Sequence, residues 1–90
     1  MAFKRRATIE LSGHTVTVDT EDVERIESAG PWKPFPFDQN RVTWLRNRGT
    51  ESKPAFELLA HFVMAASDNQ YVELADRSVP DYRKSNLRIR

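Results

Sequence analysis

The chain has 90 residues, 39% hydrophobic and 30% charged, with 14 Lys plus Arg against 13 Asp plus Glu and a net charge of +1. These values exclude the disordered class and any strongly polybasic or polyacidic protein, and they leave room for one small domain with a thin core. The absence of cysteine excludes disulfide scaffolds, Cys-ligated metal sites and thiol nucleophiles.

No apolar run approaches the ~18 residues of a membrane span. The basic start, Met1 to Arg6, lacks a following signal-peptide core. The expectation is a cytoplasmic protein with no membrane partner. Ten of the 14 basic residues are Arg, which suits bidentate contact to phosphate or carboxylate and equally fits a GC-rich genome.

Residues 7–11 and 15–18 alternate β-branched and polar residues around Ser12-Gly13-His14, which predicts a β-hairpin. Thr20 is the expected N-cap of a short helix with an apolar stripe at Val23 and Ile26, stopped by Gly30-Pro31. Its acids Asp19, Glu21, Asp22, Glu24 and Glu27 read as a solvated, dipole-favoured face rather than a metal site.

Trp32 to Phe37 is aromatic and broken by prolines, as in an edge strand. A turn at 38–40 leads to a strand over 41–46, with Val42 and Trp44 on one face and Arg41, Thr43 and Leu45 on the other. Residues 55–66 read as the core helix, with Phe56, Leu59, Phe62 and Val63 on its apolar side. A strand over 70–74, a polar loop over 75–85 and a strand over 86–90 complete the chain.

The expected fold is α+β: a small single domain over 1–90, with antiparallel strands and two helices. Residues 1–50 form a strand-rich part carrying the acidic helix, and residues 55–90 an apolar helix and a closing ββ hairpin. From Arg77 to Arg90 there are five basic residues and one acid, Asp81. The balanced total therefore conceals an acidic pole near the start and a basic pole at the end.

The segment Val72-Glu73-Leu74 through Asp81-Tyr82-Arg83-Lys84-Ser85-Asn86-Leu87-Arg88-Ile89 resembles, without a gap, the core of HNH homing endonucleases of phages and mobile elements. That family's motif runs Val-Asp-His-Ile-Asn-Gly, then a loop, then Asp-Asn-Arg-Arg-x-Asn-Leu-Arg. Residues 59–66 are similar to its upstream Leu-His-Arg-Leu-Ile-Met-Gly-Ala segment, and residues 19–32 to its acidic helix and following Trp.

The resemblance implies a ββ hairpin that once held a metal and a general-base His. Here Glu73 stands at the Asp position, Leu74 at the His position and Ala60 at the upstream His position, with His61 one residue along. Asn86 matches the central Asn, which pins the loop. The closing helix with the last metal ligand would follow Arg90, so the hairpin is a truncated one. A Leu cannot accept a proton. The implied protein is a degenerate, non-catalytic member with no cofactor and no metal.

His14 and His61 have no carboxylate or second His at ligand spacing, and three glycines make no phosphate loop. Trp32 and Trp44 read as core, while Phe35 and Phe37 read as exposed anchors for a protein contact; with the nearby arginines the same rings also suit a stacking surface for single-stranded nucleic acid.

Three functions follow. The first is nucleic-acid binding through an Arg-rich surface of Arg41, Arg46, Arg48, Lys53, Arg77, Arg83, Lys84 and Arg88. The second is a small phage-type inhibitor of a host defence nucleoprotein complex, similar to anti-CRISPR proteins, using the acids from Asp19 to Glu27 together with Phe35 and Phe37. The third is a metal-dependent nuclease completed by an oligomer partner.

Overall fold

The computed structural model describes residues 6–38, 41–67, 69–76 and 79–90, and of 36–38, 41 and 42 the backbone alone. Ser12 and Gly13 both adopt positive φ, 49° and 84°. That is the backbone of a tight two-residue hairpin turn, and Gly13 takes it without steric cost. The turn joins β1 (Arg6–Leu11) to β2 (His14–Asp19), with Leu11 opposite His14. Alternation then buries Ile9, Leu11, Val16 and Val18 on one face. The turn is one residue shorter than expected, because His14 belongs to β2.

Asp19 leaves β2 in an extended conformation, and a 3-10 turn over Thr20–Asp22 leads into α1 (Val23–Ala29). Thr20 is therefore not the N-cap. It lies inside the 3-10 turn, and the flanking Asp19 directs its carboxylate to the Lys84 backbone N–H at 2.9 Å instead.

After Pro31, β3 (Lys33–Asp38) pairs antiparallel with β4 (Arg41–Asn47), which pairs in turn with β5 (Phe56–Leu58). Pro34 and Pro36 cannot donate to a ladder, and β3 is accordingly an edge strand. The core helix expected over 55–66 is a correction. Phe56, Glu57 and Leu58 continue the sheet, opposite Asn47, Arg46 and Leu45, and only Leu59–Met64 forms α2. The strand ladder, reinforced by a 2.8 Å Arg46–Glu57 ion pair, overrides the helical spacing. Phe56, expected in the core, is 66% exposed.

The chain closes with β6 (Val72–Leu74) paired antiparallel to β7 (Leu87–Ile89). Both strands are shorter than the sequence suggested, since Asn86 belongs to a 3-10 turn over Lys84–Asn86. The loop between them is anchored rather than merely polar. Tyr82 is buried in the core, and the Thr17 backbone bonds to both Pro80 and Tyr82.

The fold is α+β, with two α-helices and seven strands in antiparallel sheets among the described residues. Its core gathers Ile26, Trp32, Trp44, Leu59, Val63 and Tyr82 with the inner face of the first hairpin. No helix among the described residues is long and apolar enough to cross a membrane.

Candidate functional site

The β6–β7 hairpin carries the residues singled out by the resemblance, Glu73 and Leu74 on β6 and Asp81 and Asn86 in the connecting loop. Glu73 sits opposite Arg88 in the ladder. Its carboxylate accepts from Arg88 Nε at 3.2 Å and from Arg90 Nη1 at 3.2 Å. The glutamate side chain is 18% exposed and the two arginines 64% each, so two solvent-facing cations share one anion. Leu74, at the position where the resemblance implies a base, packs against the core.

Asn86 closes the loop. Its Oδ1 accepts from the Asp76 backbone N–H at 3.0 Å, and its Nδ2 donates to the carbonyls of Asp76 and Asp81 at 3.2 and 3.0 Å. Asp81 forms a fork with Arg83, with Nη2 to Oδ2 at 2.7 Å and Nε to Oδ1 at 2.9 Å. These bonds from Arg83, set against a smaller penalty from burial, hold the Asp81 carboxyl below the usual aspartate range.

Lys84 leaves this loop toward the acidic helix. Its Nζ donates to Asp22 Oδ2 at 2.8 Å, to Asp22 Oδ1 at 3.0 Å and to Glu21 at 3.3 Å. Asp22 is buried and also receives Arg25 Nη2 at 3.0 Å. Burial pushes the Asp22 carboxyl up, but the hydrogen bonds and charges of Lys84 and Arg25 outweigh it and leave it depressed. Burial pulls the Lys84 ammonium down, and Asp22 and Glu21 outweigh that to raise it. The acidic and basic poles seen along the chain are thus joined in space, because Lys84 and the Asp19–Asp22 turn neutralise one another.

Among the other cations proposed from sequence, Arg46 is a structural residue. It pairs with Glu57, donates to the Ala29 carbonyl at 3.2 Å and lies over the Trp32 and Phe62 rings. Arg48 is half exposed and 4.0 Å from Glu57, and Lys53 is exposed in the β4–β5 loop. Arg77 lies outside the described residues, as do the side chains of Arg41 and Phe37. Phe35 is 53% exposed, as expected, and Trp32 and Trp44 are core. Glu21, Glu24 and Glu27 are exposed.

His61 Nε2 meets the Gln70 carbonyl at 2.8 Å, so that nitrogen carries the proton. His14 packs edge-on against Trp44. No group of three or more metal-ligating side chains occurs among the described residues.

Two residues escaped the sequence reading. Arg25 donates to the Phe62 and Val63 carbonyls, both at 3.1 Å, at the end of α2 and covers the Phe62 ring. Its position three residues after Asp22 is a legible helix pairing. Phe56 was placed on the wrong element. No family model, curated protein or solved structure matches this chain.

Proposed function

We propose that this chain is a non-catalytic binding protein on a degenerate HNH-like hairpin, with nucleic acid as its partner. The observation that carries the reading is the state of the hairpin. Asn86 keeps the loop tied as the motif requires, while Leu74 is an inert core contact and Glu73 is occupied by Arg88 and Arg90. Removing a general base costs ~10²–10⁴ in rate. The two exposed guanidiniums of Arg88 and Arg90 over the single Glu73 carboxylate leave net positive charge at the β6–β7 hairpin, suited to phosphate.

The test is a titration of labelled single-stranded and duplex DNA at about 50 and about 200 mM salt, beside a plasmid incubation with Mg²⁺ or Mn²⁺. Binding that weakens with salt, with an intact plasmid, is expected. No affinity at low salt would overturn nucleic acid as the partner. Cleavage that vanishes in Glu73→Ala would overturn the absence of catalysis.

A second reading, a small phage-type inhibitor of a host nucleoprotein complex, is favoured by the exposed carboxylates of Glu21, Glu24 and Glu27. These could occupy a basic surface that otherwise binds nucleic acid. Capture of a nucleoprotein from a bacterial lysate, lost in a variant with all three changed to Gln, is the expected outcome for that reading. Capture undiminished by that change counts against it.

A further inference from the structure

Register fixes which side chains share each face of the β3–β4–β5 sheet, because directly opposed residues of antiparallel strands point the same way. Pro34 opposes Trp44, and Arg46 opposes Glu57. These mark the inner face, where Trp44 is buried and the Arg46–Glu57 pair forms.

Lys33 opposes Leu45, Phe35 opposes Thr43, Leu45 opposes Leu58, and Asn47 opposes Phe56. This is the outer face. Its two phenyl rings are 53% and 66% exposed, Leu45 and Leu58 are half-buried between them, and neither Leu joins the core cluster. Strand geometry puts the Phe35 and Phe56 Cα atoms roughly 16 Å apart on a diagonal across three strands.

Charge decides what this apolar face fits. Among the described side chains it carries no carboxylate, since Glu57 points inward to Arg46. Each ring has a cation at hand. Lys33 lies two residues from Phe35 on the same face, with no ion-pair partner among the described residues. Lys53, equally unpaired, is exposed in the β4–β5 loop next to the end of the sheet that holds Phe56, a loop that also carries the exposed Glu51, while Arg48 turns to Glu57 on the inner side.

A second copy of the chain fits poorly. Two half-exposed rings and two half-covered leucines offer far less than the about 800 Å² per partner of a standard interface, and the face would meet its own positive charges. A partner with flat apolar surfaces and regularly spaced negative charge suits both features: rings stack bases and the adjacent cations meet phosphates.

We infer that the outer face of the β3–β4–β5 sheet is a docking surface for single-stranded nucleic acid, with Phe35 and Phe56 as stacking platforms and Lys33 and Lys53 as phosphate contacts. The inference rests on the nucleic-acid reading above and moves its principal contact away from the β6–β7 hairpin. The ring separation exceeds the ~3.4 Å rise between stacked bases, so the two rings take bases that are not neighbours.

The experiment is an anisotropy titration of labelled oligo(dT), oligo(U) and a duplex of equal length, using the full chain. The wild type is expected to prefer the single strands, and the dT and U arms tell whether the sugar matters. Phe35→Ala with Phe56→Ala is expected to weaken binding on the order of 100-fold. Arg88→Ala with Arg90→Ala is expected to weaken binding far less than loss of the rings does. Phe56→Trp is expected to bind and to show fluorescence quenched by the stacked base.

Both rings are exposed, so the double variant keeps the fold, which the buried Trp32 and Trp44 report by their own fluorescence. If it does not, Phe35→Leu with Phe56→Leu keeps apolar area and removes the rings. Single-strand binding that survives loss of the rings but not of Arg88 and Arg90 overturns this surface and leaves the hairpin reading standing. A preference for the duplex, or an unquenched Phe56→Trp protein on binding, also overturns it. Failure of every oligonucleotide to bind overturns both, and a protein partner then becomes the occupant of the face.

Discussion

The carboxylate of Asp22 joins two stretches of chain that are 62 residues apart, through Lys84. A buried acid of this kind depends on its partners, because an unpaired charge cannot be hydrated there. Lys84→Met leaves Asp22 with Arg25 alone. Since the lysine is 41% exposed, solvent screening tempers the loss, and a decrease in unfolding free energy of about 1–2 kcal/mol is expected by urea denaturation.

The pH dependence follows from the depressed Asp22 and Asp81 carboxyls. A carboxyl whose folded pKa lies below its unfolded value stabilises the fold fully above the ordinary aspartate pKa of about 3.9. That stabilisation is lost as the pH falls through the folded-state value. In urea titrations stepped downward from about pH 5, Asp22→Asn is expected to flatten the acid limb of the stability curve. An unchanged limb would mean that Asp22 carries no net coupling.

Residue roles were unevenly legible. Trp32 and Trp44 as core and Phe35 as exposed could be expected from residue type. The Lys84–Asp22 contact could not, because charge pattern along a chain carries no distance between segments. For the same reason Arg46 read as a free phosphate ligand, although it is held by Glu57 eleven residues away.

At the scale of elements, the first hairpin was the clearest, since a period of two flanking Ser-Gly has few other solutions. Residues 55–66 were the least clear. A strand end abutting a short helix happened to space Phe56, Leu59, Phe62 and Val63 as one long helix would. Short apolar runs do not distinguish the two periods, and the pairing with β4 decides the matter.

The helix that does form is six residues long and ends on Ala65, whose φ is 53°. A side chain in this left-handed region costs about 1–2 kcal/mol, and glycine is the usual residue at such helix ends. After allowing for glycine's extra unfolded-state entropy, Ala65→Gly is expected to stabilise the protein by up to about 1 kcal/mol, read as a raised thermal midpoint. A lowered midpoint would show that the Ala65 methyl packs more usefully than its exposure suggests.

For the whole molecule, the near-zero net charge is realised by contact. Glu21 and Asp22 of the first helical turn and Lys84 of the last loop satisfy each other, as do Glu57 with Arg46 and Asp81 with Arg83. Few of the cations among the described side chains are left to release counterions on binding. With Lys33 and Lys53 as the phosphate contacts, the slope of log affinity for a single strand against log salt is expected to be about −1.4. A slope several units steeper would show that the paired arginines open to take phosphates.

The joining of Thr17 to Pro80 and Tyr82, and of Asp19 and Asp22 to Lys84, has a consequence for biosynthesis. The β1–β2 hairpin and the turn leading into α1 find these partners only after residues 80–84 have been synthesised. Closing so long a loop demands entropy that no local contact repays in advance. A nascent chain arrested before residue 80 therefore exposes Val16, Val18 and Ile26 incompletely covered. It should be far more sensitive to protease than one extended past residue 84 and clear of the ribosome.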